Sequence, residues 1–219
     1  MTVTEKLAAL RQNMKARGLE GCIVVTDDFH GSEYVGAHFK AREFLSGFTG
    51  SAGTLTVLRE GAYLWTDGRY FLQAERQLEG SGIQLMRAGQ PGVPTLSQFL
   101  AEQLPEGGAL GFDGRTVSSS FARTMEKALA AKHVRLTGEQ DLVDGVWPDR
   151  PALSDKPVWE LTGCGLTRSE KLVKLREKMA ESDAAYLLLT SLTEIAWTLN
   201  LRGGDVACTP VFLSFLLIG

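Results

Sequence analysis

The apolar positions of the first 147 residues alternate between helical and strand spacing. Leu7, Leu10 and Met14 recur at the interval of one helix face, and Gly18 ends that helix. Residues 21–26 (GCIVVT) form a short apolar run, which is typical of a strand buried on both faces. Because strand and helix patterns continue to follow one another up to residue 136, the sequence predicts an α/β fold with a mixed sheet flanked by helices.

A glycine-rich loop and a strand lie at the centre of this region. Glycine recurs at every third position from 47 to 53, so this backbone bends freely and carries little side-chain bulk. In residues 54–58 (TLTVL), Leu55 and Val57 point to one side of the chain while two threonines point to the other. This alternation predicts a strand with one buried face.

A second strand at 62–65 completes a hairpin, and Asp67 and Gly68 then break the strand pattern. Apolar side chains at helical spacing follow this turn: Tyr70, Phe71, Ala74 and Leu78. The remaining elements predicted for this region are a strand at 83–87, a helix opened by a capping box of Thr95 and Gln98, a strand at 109–112, a helix capped by residues 118–120 and a strand at 134–136.

Three of the seven prolines fall at positions 148, 151 and 157. Proline fixes its own φ and keeps the preceding residue out of the helical region, so 148–157 predicts a stiff, extended linker. We therefore divide the chain into a first domain at 1–147, this linker, and a second region at 158–219.

The second region repeats the start of the first. Residues 6–14 (KLAALRQNM) recur as 171–179 (KLVKLREKM), and the strand-like run at 21–26 has a counterpart at 185–190 (AYLLLT). Chance amphipathicity explains a matched helix alone, but a matched helix followed by a matched strand indicates duplication. The second region is therefore predicted to be the first part of a related α/β domain.

Residues 211–218 (VFLSFLLI) are apolar on both faces apart from Ser214. This pattern predicts a central strand with neighbours on both sides and cover on both faces. If the seven large apolar side chains of this run stay in water, each forgoes about 1.5–3 kcal/mol of stabilisation relative to burial. We expect the second region either to pair with another copy, giving a dimer, or to be the remnant of a longer chain.

Composition excludes several classes of protein. The formal net charge of −3, without a basic run, argues against a nucleic-acid partner. No apolar stretch approaches the roughly 20 residues of a membrane span, and the first residues lack the apolar centre of a signal peptide. Cys22, Cys164 and Cys208 are few and far apart, so neither a disulfide framework nor a zinc site is predicted. A cytoplasmic, reduced protein fits these observations.

Motifs for phosphate, metal and acyl chemistry are absent from the sequence. The glycine-rich loop matches neither GxxxxGK[ST] nor GxGxxG and leads into a strand, so close packing is favoured over phosphate binding. No HExxH or GxSxG occurs, and His38 and His133 lack clustered carboxylates. His30 is close in sequence to three carboxylates, at Asp27, Asp28 and Glu33. For His30 and these three carboxylates, a solvated polar loop is favoured over a weak metal site.

Several motifs together resemble one family. SGFTGSAGT and LWTDGRYFLQA are similar to the amino-terminal domain of Xaa-Pro aminopeptidases, within the creatinase and prolidase superfamily. VDGVWPDRP, EIAWTLNLRGGDV and PVFLSFLLI follow in the order found in the long, three-domain members. The resemblance implies two related non-catalytic domains, a creatinase/prolidase N-terminal domain and the first part of a second.

The resemblance also implies an activity for a parent protein. Family members remove the N-terminal residue from peptides with proline in second position, using two divalent metal ions, for which manganese is expected. Their ligands lie in a third, metallopeptidase domain that is absent from this chain, so we expect no catalytic residue, no metal ligand and no cofactor within 1–219. A homodimer acting on peptide substrates is implied for the parent.

The resemblance gives four residues a possible role in substrate access or contact between subunits. Trp65 matches a tryptophan that reaches toward the active-site mouth of a neighbouring subunit in oligomeric relatives, and ordinary core packing remains equally open. Asp67, Arg69 and Tyr70 either share that role or only build the turn and open the next helix. The alternative function for the whole chain is a stand-alone peptide-binding or protein-binding module.

Overall fold

The structure is a computed structural model that describes residues 1–139 and 141–219. Its helices are α1 (Val3–Ala16), α2 (Ala41–Ser46), α3 (Phe71–Gln77), α4 (Leu96–Gln103), α5 (Ser119–Leu129), α6 (Arg168–Glu181) and α7 (Leu192–Leu199). Its strands are β1 (Gly21–Val25), β2 (Thr54–Leu58), β3 (Ala62–Thr66), β4 (Gln84–Arg87), β5 (Ala109–Phe112), β6 (Arg135–Thr137), β7 (Trp159–Glu160), β8 (Leu187–Leu189), β9 (Leu201–Arg202) and β10 (Leu216–Ile218).

The first part of the molecule contains a six-stranded mixed sheet in the order β4-β3-β2-β1-β5-β6. The central strands β1, β2 and β3 pair antiparallel, whereas β4, β5 and β6 join in parallel. The predicted α/β class with a mixed sheet flanked by helices is confirmed.

Two apolar clusters pack on the two faces of this sheet. One holds α1, α2 and α3 against side chains such as Leu55 and Val57, and the other holds α4 and α5 against side chains such as Ile23 and Leu110. Strand β2 was predicted to have one buried face, and this is wrong. Thr56 is fully buried, because α4 and α5 add a layer on the side to which the threonines point.

Local hydrogen bonds explain where the helices begin. Thr95 and Gln98 form the predicted capping box at α4, and Thr167 and Glu170 form one at α6. Helix α2 was not predicted from the sequence. Its six residues are too few to display a period, and Gly47, with φ 74°, ends it after less than two turns.

The second part is smaller and more open. Strands β8 and β10 pair with each other, and the predicted strand at 211–218 is largely wrong. Only Leu216–Ile218 is strand, and Phe215 and Leu217 are 58% and 62% exposed. Within the described residues β10 has a single neighbouring strand and no layer over its outer face, so the conditions for a central strand are not met.

Side-chain contacts repeat between the two parts of the molecule. The Nζ of Lys6 donates to the carbonyl of Phe44 in α2 at 2.8 Å and lies 4.1 Å from the centre of its ring. The Nζ of Lys171 donates to the carbonyl of Trp197 in α7 at 2.6 Å and lies 4.1 Å from its ring. In both parts, a lysine of the first helix therefore binds the end and the aromatic side chain of the following helix.

A second pair of contacts repeats with the same spacing. Arg11 donates from Nε to the carbonyl of Leu58, at the end of β2, at 2.9 Å. Arg176 donates from Nε to the carbonyl of Gly219, just after β10, also at 2.9 Å. The β8–β10 pair is therefore the counterpart of the β1–β2 pair.

These contacts refine the alignment of the two parts by one residue. If the apolar runs 21–26 and 185–190 are aligned, Leu187 corresponds to Ile23. If the lysines and arginines of the two helices are aligned instead, Leu187 corresponds to Cys22. Leu188, which is 59% exposed, then corresponds to Ile23, which is 2% exposed. The open face of β8–β10 thus corresponds to the face of the first sheet that α4 and α5 cover.

Candidate functional site

The turn after β3 holds two of the predicted site residues in an ion pair. The Asp67 carboxylate accepts hydrogen bonds from the backbone N–H of Arg69 at 3.0 Å and from its Nε and Nη2 at 2.9 Å each. The bond from the Arg69 side chain holds the pKa of Asp67 below its usual range, and the same bond raises the pKa of Arg69. Both side chains are well exposed, so this pair lies at the surface.

A second Asp-Gly-Arg turn shows how much of this arrangement belongs to the turn itself. After β5, Asp113 accepts from the backbone N–H of Arg115 at 3.0 Å, and from its Nε and Nη2 at 2.9 and 2.8 Å. The near-identical distances at the two sites favour turn formation as the reason for the Asp67–Arg69 pair.

Tyr70 connects the turn to the glycine-rich loop. Its hydroxyl lies 2.7 Å from the Oγ of Ser51, and its ring meets the ring of Phe48 edge-on at 5.9 Å. A Cβ placed on Gly50 would lie 2.8 Å from the Tyr70 ring and would also overlap Phe48. Glycine is therefore required at position 50 for this close packing, in agreement with the packing interpretation of the loop.

Trp65 lies in the apolar cluster beneath α4. Its side chain packs against Phe99 at 5.2 Å, and its indole N–H donates to the carbonyl of Pro94 at 3.1 Å. Only 7% of the residue is exposed. Of the two alternatives for Trp65, this burial favours core packing.

Arg42 is a central residue of this region that the sequence analysis did not single out. It is 3% exposed, and its guanidinium donates to Thr26 Oγ1 at 2.6 Å, to the carbonyl of Phe48 at 2.6 Å and to the carbonyl of Gly50. Burial lowers its pKa to about 10. Arginine side chains are normally exposed, and no helix or strand was predicted around this one, so no sequence signal indicated its burial.

A cavity of about 190 Å³ lies between this loop and the second part of the chain. Arg42, Gly50 and Ser51 line one side of it, and Val206 and Ala207 line another. The other lining residues are Thr26, Glu33, Tyr34, Val35, Phe39, Lys40, Glu43 and Thr49.

The predicted solvated loop around His30 is wrong for His30 and Asp28, although Glu33 in the same loop is exposed. The side chains of His30 and Asp28 are 3% and 0% exposed, and the His30 ring stacks on Phe215 at 4.3 Å. Asp28 Oδ1 accepts from the backbone N–H groups of His30 and Ser32 at 2.8 and 3.1 Å. The His30 ring is buried because Phe215, from the second part of the chain, covers it.

The other residues considered for metal or nucleophilic chemistry are dispersed. His38 Nδ1 lies 2.8 Å from the carbonyl of Pro151, and His133 occupies a left-handed turn. Within 1–139 and 141–219, no group of three His, Cys, Asp or Glu side chains is arranged to hold a metal ion. Burial raises the pKa of Cys22 to about 12, which keeps this thiol protonated and unreactive.

In the part of the chain that the structure describes, no helix combines the length and the apolar character needed to cross a membrane.

Comparison with known proteins identifies two families of the same description, one in each part of the chain. Residues 6–146 match a family described as creatinase/prolidase N-terminal domain. Residues 149–219 match a second family with the same description.

Individual relatives match over almost the whole chain. Aminopeptidase P2 of Arabidopsis thaliana is 40% identical over 225 residues, covering 100% of this chain and 32% of the relative. Xaa-Pro aminopeptidase ApepP of Drosophila melanogaster is 39% identical over 227 residues, covering 99% of this chain and 37% of that relative. The chain thus spans about a third of the length of the curated relatives it matches.

One solved structure matches at the level of the whole fold. It is the X-prolyl aminopeptidase of Caenorhabditis elegans, a cytosolic enzyme with a di-nuclear active site. The TM-score is 0.91 at 35% identity, and the match covers 100% of this chain and 38% of that protein.

Proposed function

This chain belongs to the family of creatinase/prolidase N-terminal domains, and on that premise we propose that it forms the non-catalytic, amino-terminal portion of a metal-dependent Xaa-Pro aminopeptidase. The observation that carries the proposal is the TM-score of 0.91 over the full chain with an X-prolyl aminopeptidase of which the match covers 38%. Its parts would be a first domain at 1–147, a linker at 148–157 and a second, related domain that begins at 158.

The proposed parent reaction removes the N-terminal residue from peptides with proline in second position, in the cytoplasm. Two divalent metal ions, for which we propose manganese, would be held outside residues 1–219. The described residues contain no suitable set of ligands, so no chemical step through a metal is assigned to this chain. The di-nuclear site of the C. elegans enzyme supports the metal count.

The proposed contribution of this chain is subunit association within a homodimer and control of substrate access. The surface turn that carries Asp67, Arg69 and Tyr70 is the proposed access element, because it presents a charged pair beside a tyrosine whose hydroxyl is bound to Ser51. Trp65 would support this turn from the core beneath rather than contact substrate.

Activity measurements on two proteins test this proposal. We expect purified 1–219 to release no amino acid from an Xaa-Pro-Pro peptide and to bind no stoichiometric manganese in isothermal titration. The complete gene product, assayed in parallel with manganese, is expected to cleave the peptide. Turnover proportional to the amount of 1–219, or an inactive complete product, would contradict the proposal.

A stand-alone peptide-binding module is the second candidate, and the cavity of about 190 Å³ between the two parts of the chain favours it. Titration of 1–219 with short proline-containing peptides separates the two functions. Saturable binding that is lost when Ser51 and Val206 are both replaced by larger residues would favour the module. The absence of saturable binding would leave only the first candidate.

A further inference from the structure

Arg42 joins two segments that are distant from each other along the chain. Its Nε donates to the hydroxyl of Thr26, just after β1, and its two Nη atoms donate to the carbonyls of Phe48 and Gly50. Its guanidinium also lies 4.8 Å from the centre of the Phe48 ring. Each nitrogen of the guanidinium therefore binds a different acceptor.

All three acceptors are uncharged, although the cation is almost completely buried. Among residues 1–139 and 141–219, no carboxylate lies within ion-pair distance of Arg42. A buried cation without a counter-ion is costly, and an apolar side chain of similar length would fill the same space at a lower cost. What an apolar side chain cannot supply is a planar group that fixes three oxygens at once.

The loop that Arg42 fixes is also the support of Tyr70. Ser51 follows directly after Gly50 and meets the Tyr70 hydroxyl at 2.7 Å, and Phe48 contacts the Tyr70 ring. On the other side of the loop, the Thr66 hydroxyl donates to the carbonyl of Ala52 at 2.7 Å. The turn from Thr66 to Tyr70 is thus attached at both ends to the loop that the guanidinium holds.

We propose that Arg42 is a positioning residue, which sets the orientation of Tyr70 and of the Asp67–Arg69 turn through the glycine-rich loop. This proposal rests on the proposed function, in which that turn controls the access of peptide substrates. Arg42 itself lines the cavity beside the loop but needs no contact with substrate to act in this way.

Nuclear magnetic resonance of residues 1–219 tests the positioning role directly. The chain has four tyrosines, so tyrosine labelled at Cζ gives four signals, and Tyr70→Phe identifies the one from Tyr70. Arg42→Lys keeps the charge but loses the planar geometry. We expect Arg42→Lys to fold, to shift the Tyr70 signal, and to speed hydrogen exchange of the Tyr70 amide, which donates to Asp67, at least tenfold.

Arg150→Lys is the matched control. Arg150 is also nearly buried and also joins distant segments, through the carboxylate of Asp141 and the carbonyl of His38, but it does so at the linker. We expect this control to lose stability while leaving the Tyr70 signal and amide exchange unchanged. A folded Arg42→Lys protein with unchanged Tyr70 properties, or an equal change in the control, would overturn the positioning role.

Kinetics of the complete gene product separate this inference from the proposed function. Arg42→Lys is expected to raise KM for an Xaa-Pro-Pro peptide about tenfold, with kcat changed less than twofold, because access is altered and not the reacting groups. An altered Tyr70 signal with unchanged KM would retain Arg42 as the positioning residue and refute the access role of the turn.

Discussion

At the scale of single residues, buried polar groups determine the local geometry around the candidate site. Asp28 and His30 lie in a predicted polar loop and Arg42 lies in a segment without a predicted element, yet all three side chains are almost completely buried. The pattern of hydrophobic residues cannot predict the burial of such side chains. Charged side chains are normally exposed, and their burial depends on partners far away in the chain. The sequence therefore marked candidate site residues only where a motif contained them, at Trp65, Asp67, Arg69 and Tyr70.

Trp65 gives a prediction of stability. Replacement of this buried indole by alanine removes its contacts with Phe99 and leaves a cavity, so we expect the free energy of unfolding to fall by about 3–5 kcal/mol. Leu72→Ala, at a side chain that is 73% exposed, is the control and should change it by less than about 0.5 kcal/mol. Chemical denaturation measures both. A loss below about 1 kcal/mol for Trp65→Ala would contradict the core assignment.

Asp141 gives a prediction of how the stability of the protein depends on pH in the acid range. Burial opposes its ionisation, but the hydrogen bond and charge of Arg150 outweigh burial, together with the amides of Val143 and Asp144, and lower the pKa of Asp141. Its stabilising effect is therefore complete above the unfolded pKa of about 3.9 and disappears as the pH falls through the folded pKa. We expect Asp141→Asn to lose on the order of 2 kcal/mol at pH 7 and far less at pH 2.5, measured by urea unfolding.

Asp27 should respond to pH in the opposite direction. Burial raises its pKa to about 6, so ionisation of this carboxyl disfavours the folded state as the pH rises from about 4 to above 6. Asp27→Asn keeps the oxygen that accepts the Asp28 amide and removes the charge. We expect this variant to be more stable than unsubstituted 1–219 at pH 7 and equal to it in stability at pH 4. A gain of the same size at both pH values would exclude ionisation as the cause.

At the scale of elements, periodicity and capping residues predicted most of the first sheet and its helices. The predicted strands at 62–65, 83–87 and 109–112 agree with β3, β4 and β5 within a residue at each end. Helix α2 was missed because it is too short to display a period. The strand predicted at 211–218 was too long, because residues 211–215 lack the neighbours that would turn an apolar run into a strand.

The glycine-rich loop gives a prediction at this scale. A methyl group at Gly50 would overlap the rings of Phe48 and Tyr70, so Gly50→Ala is expected to lose about 1–3 kcal/mol of stability and to alter the Tyr70 signal. Gly165→Ala is the matched control, because nothing lies within 4 Å of a Cβ placed there. A neutral Gly50→Ala would indicate that the loop moves easily, which is incompatible with a fixed support for Tyr70.

At the scale of the whole molecule, the two parts differ in how completely they are covered. Leu188 and Leu217 are paired across β8 and β10, and both are more than half exposed. We expect 1–219 to associate through this face, so that light scattering gives about twice the mass of 23.8 kDa. Glutamate at both positions should restore the monomer, whereas Leu72→Glu on the first part should leave the dimer intact. If 1–219 without substitutions is strictly monomeric, this expectation is contradicted.

The repeated lysine and arginine contacts have a consequence for the path by which the chain acquires its structure. Helices α1 and α6 carry the same two anchors, and each anchor binds backbone carbonyl groups that do not depend on the identity of the partner residue. We therefore expect that, early in refolding from denaturant, α6 binds the paired strands β1 and β2 in place of α1 in a fraction of the molecules, and that it must dissociate from them before folding is complete. Kinetic partitioning of this kind is a known hazard of tandem repeats, and between two chains the same exchange joins them by swapped helices.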